Sequence, residues 1–247
     1  MIYFISDAHL GSRLVKNPRE HEMRLVNWLD KVKADAEAIY MLGDMFDFWF
    51  EYKTVMPKGY VRFLGKMAEL TDSGIEIHFF TGNHDIWTFG YLENEIGLTI
   101  HREPELVELS GKKFYIAHGD GLYTDEKSFN FIRKIFHSPT CQKLFQLVPP
   151  RIGQSFGYAW SKSNRGKILH LDNKFQGEEN EHLVIFAKKY SEKHDVDFMI
   201  FGHRHIELDL ELKNKSRVII LGDFVDIYSY GVFDGKNFWL ESDVLGS

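Results

Sequence analysis

Six short apolar runs punctuate the chain, at residues 2–5, 38–42, 75–80, 113–117, 198–201 and 217–221, all rich in Ile, Val, Phe and Tyr. Each ends in Asp, Gly or His, and runs of this length and composition predict buried strands. Residues 21–33 and 60–71 carry apolar side chains at helical spacing between the first of these runs. The N-terminal half therefore reads strand, helix, strand, helix, strand, which predicts an α/β fold with a mainly parallel sheet covered by helices. Residues 206–240 alternate without helical spacing and predict antiparallel strands. Ligands in such a layout collect where strands end and loops begin.

Residues 122–175 break this rhythm. Phe129, Ile132, Ile135 and Phe136, then Leu144, Leu147 and Val148, recur at helical spacing, and the Pro149–Pro150 pair stops that helix. Two or three short helices inserted into the body are expected here. The implied organisation is a core of residues 1–121 and 176–247, with 122–175 as a helical insertion.

Composition excludes several classes. With 247 residues, 44% hydrophobic and 27% charged, the chain is long enough to bury a sizeable core. Twenty Gly and six Pro without period exclude collagenous and low-complexity chains, and 15% aromatic residues exclude a disordered one. One cysteine, Cys141, forbids an intramolecular disulfide and points to a reducing, cytoplasmic setting. No run approaches the roughly 18 to 20 apolar residues a spanning helix needs. The opening MIYFISDAHLGS has no basic stretch ahead of an apolar one, so no cleaved leader is expected.

Charge is distributed unevenly. The formal net charge is −6, yet residues 127–174 hold nine of the 30 Lys and Arg and only one of the 36 Asp and Glu. Phe129, Phe131, Phe136, Phe145, Phe156, Tyr158 and Trp160 lie in the same stretch. A basic, aromatic segment on an acidic body suits an anionic partner with an apolar part. The overall negative charge disfavours a long nucleic acid, and no protein partner is evident.

Five blocks sit at predicted strand ends: Asp7-Ala8-His9, Gly43-Asp44-Met45-Phe46-Asp47, Gly82-Asn83-His84-Asp85, His118-Gly119-Asp120 and Gly202-His203-Arg204-His205. One such block alone is a weak signal, since a solvated loop explains it equally well; five in strand-end loops point to a common site. Asp7, His9, Asp44, Asn83, His118, His203 and His205 offer seven N and O ligands without a thiolate. That exceeds one tetrahedral ion and fits two divalent ions sharing a carboxylate, with Mn first and Fe or Zn as alternatives. Paired ions of this kind serve phosphoester or phosphoanhydride hydrolysis.

In this order the blocks resemble the calcineurin-like metallophosphoesterase family. The resemblance implies a sandwich of two mixed β-sheets flanked by helices, with the two-metal site at one edge. It further implies that Asp7, His9 and His205 hold one ion, that Asn83, His118 and His203 hold the other, and that Asp44 lies between them. His84 would protonate the leaving group or steady the transition-state charge, so that His84 and Asp44 carry the catalysis. Within the family, Gly43-Asp44-Met45-Phe46-Asp47-Phe48-Trp49 and the stretch from His118 to Asp125 are similar to blocks of the UDP-2,3-diacylglucosamine diphosphatases of lipid A synthesis. That likeness implies pyrophosphate cleavage to lipid X and UMP, a lid formed by 122–175 that captures acyl chains, and a peripheral position on the cytoplasmic face of a bacterial inner membrane. This chain departs from the best-known subgroup at His84, at Tyr123, and at Arg204, Ile206 and Glu207. Another phosphoester, such as a cyclic nucleotide, a phosphoprotein or a short nucleic acid, is the alternative substrate.

The residues of the insertion agree with a lipid-linked nucleotide substrate. Ser161, Asn164, Arg165 and Lys167 supply hydroxyl, amide and cationic donors for a diphosphate or uridine, and Asn83, His84 and Asp125 complete the expected substrate contacts. Phe129, Ile132, Phe136, Leu144 and Phe145 would line an acyl groove. The plainer reading packs these aromatics onto the body and leaves the cations solvated. Phe46, Phe48 and Phe50 are expected to pack beneath the site, with Trp49 the one in reach of substrate, and Asp47 and Asp120 to orient imidazoles. Cys141 is expected to be a buried residue without chemistry.

Overall fold

The computed structural model describes residues 1–122, 133–168 and 174–242, with side chains of 162–168 left aside. One sheet contains β1 (Ile2–Ile5), β2 (Ala38–Leu42), β3 (Glu76–Phe80), β4 (Thr99–His101), β10 (Ser229–Phe233) and β11 (Phe238–Ser242), in the order β11-β10-β1-β2-β3-β4. The second contains β5 (Glu105–Leu109), β6 (Lys112–Ala117), β7 (Phe198–Phe201), β8 (Glu207–Glu211) and β9 (Arg217–Leu221), in the order β5-β6-β7-β9-β8. Helices α1 (Pro18–Val32), α2 (Val61–Asp72) and α3 (Tyr91–Ile96) accompany the first sheet, and α6 (His182–Ser191) the second. Between them come α4 (Pro139–Phe145) and α5 (Pro150–Ile168) of the insertion, preceded by a helical turn at 133–137.

Strand periodicity explains why two sheets stack. Ile2 and Phe4, Ala38, Tyr40 and Leu42, and Phe80 face inward to meet Phe114, Ile116, Phe198, Ile200, Ile219 and Leu221 of the other sheet. The alternate residues Tyr3, Ile5, Ile39, Met41, Ile77 and Phe79 turn the other way, onto Leu25, Trp28, Leu29, Phe63 and Met67 of α1 and α2. Met199, Phe201, Val218 and Ile220 likewise cover α6 through Leu183, Val184 and Ala187. Strands buried on both faces read as continuous apolar runs. Each fully buried Phe, Leu or Ile adds about 1.5–3 kcal/mol relative to exposure.

The first sheet is parallel through β1–β2–β3–β4, as the alternation of strand and helix predicts. The C-terminal strands are only partly as expected. β8–β9 and β10–β11 are antiparallel, yet β9 runs parallel to β7 and β10 crosses to pair with β1, which makes both sheets mixed. The insertion sits on the body where its Phe145 and Tyr158 pack against Phe48, Phe50, Tyr52 and Trp87. Pro149–Pro150 both ends one helical stretch and opens the next, since proline suits a first turn. No helix among the described residues is long and apolar enough to cross a membrane.

Candidate metal centre

All seven expected ligands stand in loops at strand ends. Asp7 and His9 follow β1, Asp44 follows β2, Asn83 follows β3, His118 follows β6, and His203 and His205 follow β7. Five of them, Asp7, His9, Asp44, His203 and His205, hold left-handed backbone conformations with φ between 44° and 67°. Non-glycine residues rarely adopt that region, and such strain persists where surrounding contacts impose it, often at functional sites. Contacts here are imposed by backbone bonds between loops: the N–H groups of Asp7, His9 and Leu10 donate to the carbonyls of Gly43, Asp44 and Met45. Gly43 is required at its position, because φ is +83° and a Cβ would stand 2.6 Å from the Gly82 nitrogen and 2.8 Å from His118 Nδ1.

The side chains converge in three overlapping groups: Asp7 with His9 and His205, Asp44 with His118 and His203, and His9 with Asp44 and His84. His205 Nε2 lies 3.4 Å and His9 Nε2 3.6 Å from Asp7 Oδ1. Asp44 Oδ2 is central, 3.5 Å from His118 Nε2 and 3.8 Å from both His9 Nε2 and His84 Nε2. The ring orientations follow from the opposite nitrogens. His118 Nδ1 donates to the Leu42 carbonyl at 2.6 Å, and His205 Nδ1 to Asp223 Oδ2 at 3.2 Å, so each ring turns its Nε2 toward the centre. His84 Nδ1 donates to the Asp47 carbonyl at 2.8 Å.

The donor set fits cations. Buried Asp7 Oδ1, Asn83 Oδ1 and His118 Nε2 have no hydrogen-bond partner in the protein, an arrangement that costs free energy unless something else satisfies them. Burial lifts the Asp7 carboxyl above its ordinary range, and Asp44 adds to this, against His205 and His118. Burial also opposes ionisation of Asp44, but the imidazoles of His84, His118 and His9 outweigh it and hold that carboxyl well below the usual value. His203 is pushed down to about 3 by burial and by His118, so it is a neutral imidazole, the form that binds metals. Without thiolates, the set suits the borderline divalent ions better than a structural zinc site.

Two carboxylates hold this constellation in place without belonging to the predicted ligand set. Asp85 accepts the backbone N–H groups of Gly82, Asp44, Met45 and Phe46 at 2.7–3.3 Å. Burial, with Asp44, raises its carboxyl to about 7. Asp223 orients His205 and accepts the N–H groups of Val225, Asp226 and Ile227. The signal for Asp223 was present in the sequence: Leu221-Gly222-Asp223 repeats the Leu42-Gly43-Asp44 pattern at the end of a strand. Asp47 Oδ1 stands 3.6 Å from His9 Nδ1 as expected of an orienting group, whereas Asp120 accepts from Arg133 Nε at 3.2 Å.

Two cavities meet at the centre. One of about 630 Å³ is lined by His9, Asp44, His84, His203 and His205 and runs toward α1 and the 223–228 loop. The other, about 400 Å³, lies under the insertion and is walled by Phe48, Trp87, Phe136, Phe145, Phe156 and Trp160. Asn83 and His84 line both.

Placement of the other expected substrate residues is uneven. Ser161 is buried in α5 and lines neither cavity. Asn164, Arg165 and Lys167 fall on the last turns of α5, where side chains are outside the described residues, as are Asp125, Phe129, Phe131 and Ile132. Trp49 is fully buried, stacks on Phe46 and donates Nε1 to Glu51, so it packs the core instead of reaching substrate. Cys141 is half-buried and lines the 400 Å³ cavity, so it is less enclosed than expected.

Residues 1–207 match the calcineurin-like phosphoesterase family. The chain belongs to that family. The match covers all five blocks, and the sandwich and family anticipated from them are borne out. Among curated calcineurin-like relatives, the chain is 48% identical to the UDP-2,3-diacylglucosamine hydrolase of Porphyromonas gingivalis, over 98% of this chain and 97% of that protein. It is 32% identical to the UDP-2,3-diacylglucosamine hydrolase of Yersinia pseudotuberculosis serotype O:1b, over 88% of each. A dimetal phosphatase from Danio rerio superimposes with a TM-score of 0.49 at 12% identity, over 97% of this chain and 94% of that one.

Proposed function

We propose that this chain hydrolyses the pyrophosphate of UDP-2,3-diacylglucosamine to lipid X and UMP. The observation that carries the reading is the shared wall: Asn83 and His84 line both the apolar cavity and the cavity of the expected ligands. An acylated sugar seated in the first would present its phosphates to the second. The curated relatives of the same name, similar along nearly the whole chain, support the same substrate.

Asp7, His9 and His205 would hold one divalent ion, and Asn83, His118 and His203 the other, with Asp44 between them; Mn is the first choice, Fe or Zn the alternatives. When bound, such a pair of ions neutralises phosphoryl oxygens and acidifies water for in-line displacement. His84, fixed through Nδ1 on the Asp47 carbonyl, keeps Nε2 free of that bond and able to pass a proton to the leaving phosphate oxygen. Residues 122–175 serve as the lid, and its aromatic lining excludes water from the acyl chains. Each buried methylene adds about 0.8 kcal/mol, so about two to four match one hydrogen bond to a charged group. Asn164, Arg165 and Lys167 contact the pyrophosphate, and Asp125 accepts from a substrate hydroxyl. Exposed Leu144, Leu147, Ile152 and Phe156, beside Lys143 and Arg151, suit a peripheral position on the cytoplasmic face of an anionic membrane.

The Mn-loaded protein is expected to release UMP from UDP-2,3-diacylglucosamine, and His118→Ala to abolish the release. Absence of UMP, with turnover of bis(p-nitrophenyl) phosphate or a cyclic nucleotide retained, would transfer the activity to a simpler phosphodiester.

A further inference from the structure

The larger cavity extends beyond the expected ligands to a rim that no step above uses. Lys16, Asn17, Glu20 and Arg24, from the start of α1 and the residues before it, line this space together with Asp226 and Tyr228. The Arg24 guanidinium lies 3.6 Å from the centroid of the Tyr228 ring. Tyr228 is held there at φ +58°, a conformation that a bulky aromatic residue seldom adopts, so the surrounding loop imposes the position of its ring.

We infer that this rim is the subsite for the nucleoside monophosphate half of the substrate. The inference rests on the function proposed above and divides the substrate by chemistry. The 400 Å³ cavity offers aromatic and aliphatic walls with little besides Gln142, Asn83 and His84 to meet a polar group. A uridine monophosphate brings the opposite needs: ribose hydroxyls and a ring N–H that donate, a phosphate that accepts, and a flat base. The rim matches each of them. Glu20 and Asp226 accept from hydroxyls or ring N–H, Lys16 adds a cation on the nucleotide side, and the Arg24 guanidinium over Tyr228 offers a flat cationic face to the base. Asn83 and His84 line both cavities, so a pyrophosphate beside them would have one cavity for each half of the substrate.

Competition against turnover of bis(p-nitrophenyl) phosphate by the Mn-loaded protein tests the subsite, with UMP and inorganic phosphate as the two inhibitors. Phosphate needs only the metal centre, whereas UMP needs the centre and the rim. Arg24→Ala is expected to raise the inhibition constant of UMP about tenfold and that of phosphate less than twofold. Asp226→Ala, whose side chain is exposed, is expected to shift the same ratio in the same direction, which separates lost binding from a loosened loop. Constants for UMP and phosphate that move together, or a UMP constant unmoved in both variants, would overturn the subsite. UMP release from the lipid nucleotide, measured in parallel on the wild-type protein, reports separately on the hydrolase reading.

Discussion

Asp44 and Asp85 are tied to each other's loops in both directions. The Asp44 backbone N–H donates to Asp85 Oδ1 at 3.2 Å, while Asp44 Oδ1 accepts the N–H of His84, the residue before Asp85, at 2.9 Å. The central carboxylate of the expected metal centre is thus positioned by a second carboxylate that touches no imidazole in the same set. Asp85→Asn replaces an acceptor oxygen with a donor facing backbone donors. We expect a loss of about 3 kcal/mol, seen as a fall in Tm of roughly 6–12 °C, together with reduced turnover of bis(p-nitrophenyl) phosphate. An unchanged Tm would mean that the loops do not depend on this bond.

Asp223 acts on the centre only through His205, so its removal should weaken metal binding without unfolding the protein. Asp223→Asn is expected to lower affinity for Mn by about 10- to 100-fold, measured by calorimetry on the metal-free protein, as is usual when the partner of a ligating imidazole is changed. The same variant should keep the circular dichroism of the wild type. A metal affinity equal to that of the wild type would remove Asp223 from the account.

How much of this was legible in the chain depended on how local each determinant is. Continuous apolar runs locate β1, β2, β7 and β9 to the residue, because strands buried on both faces need no polar alternation. β4 has three residues, and β5, Glu105–Leu109, alternates with charged positions at a sheet edge, so neither produces a distinct run. The crossing of β10 to β1 is a long-range pairing that no local pattern encodes. The seven expected ligands are visible because each lies within a few residues of the end of an obvious strand, and Asp44, Asn83, His118 and His203 also adjoin a glycine. Asp85 was visible only as part of a block, since its role lies in four backbone N–H groups drawn from two loops. The rim residues Arg24 and Tyr228 are about two hundred positions apart, and only the fold brings them together.

Seating of the insertion depends on close approach at Gly157. A Cβ there would collide with the Phe48 ring, which forms part of both the cavity wall and the platform beneath α5. Gly157→Ala is expected to push α5 outward, raising KM for the diacylated substrate several-fold with a much smaller change for bis(p-nitrophenyl) phosphate. Equal changes for both substrates would show that the insertion supports the centre instead of holding acyl chains.

A histidine pair away from the centre should make stability depend on pH. His78 Nδ1 and His101 Nε2 are 3.0 Å apart, and the His78 ring stacks on Tyr40 at 4.4 Å. Burial, reinforced by His101, lowers His78 below its ordinary value of 6.5 against the pull of Glu76. A depressed imidazole adds stability that is present above the unfolded value and is lost as pH falls through the folded one. Between about pH 7.5 and about pH 5.5, Tm of the wild type should therefore fall further than that of His78→Phe, which keeps the stacking. Parallel curves would assign the acid sensitivity to other groups.

Anomalous diffraction from crystals soaked in Mn tests the central claim most directly. Two peaks roughly 3.5 to 4 Å apart are predicted, one among Asp7, His9 and His205 and one among Asn83, His118 and His203, with Asp44 touching both. A single peak, or none at full Mn occupancy elsewhere, would contradict the paired-ion centre and the hydrolysis built on it.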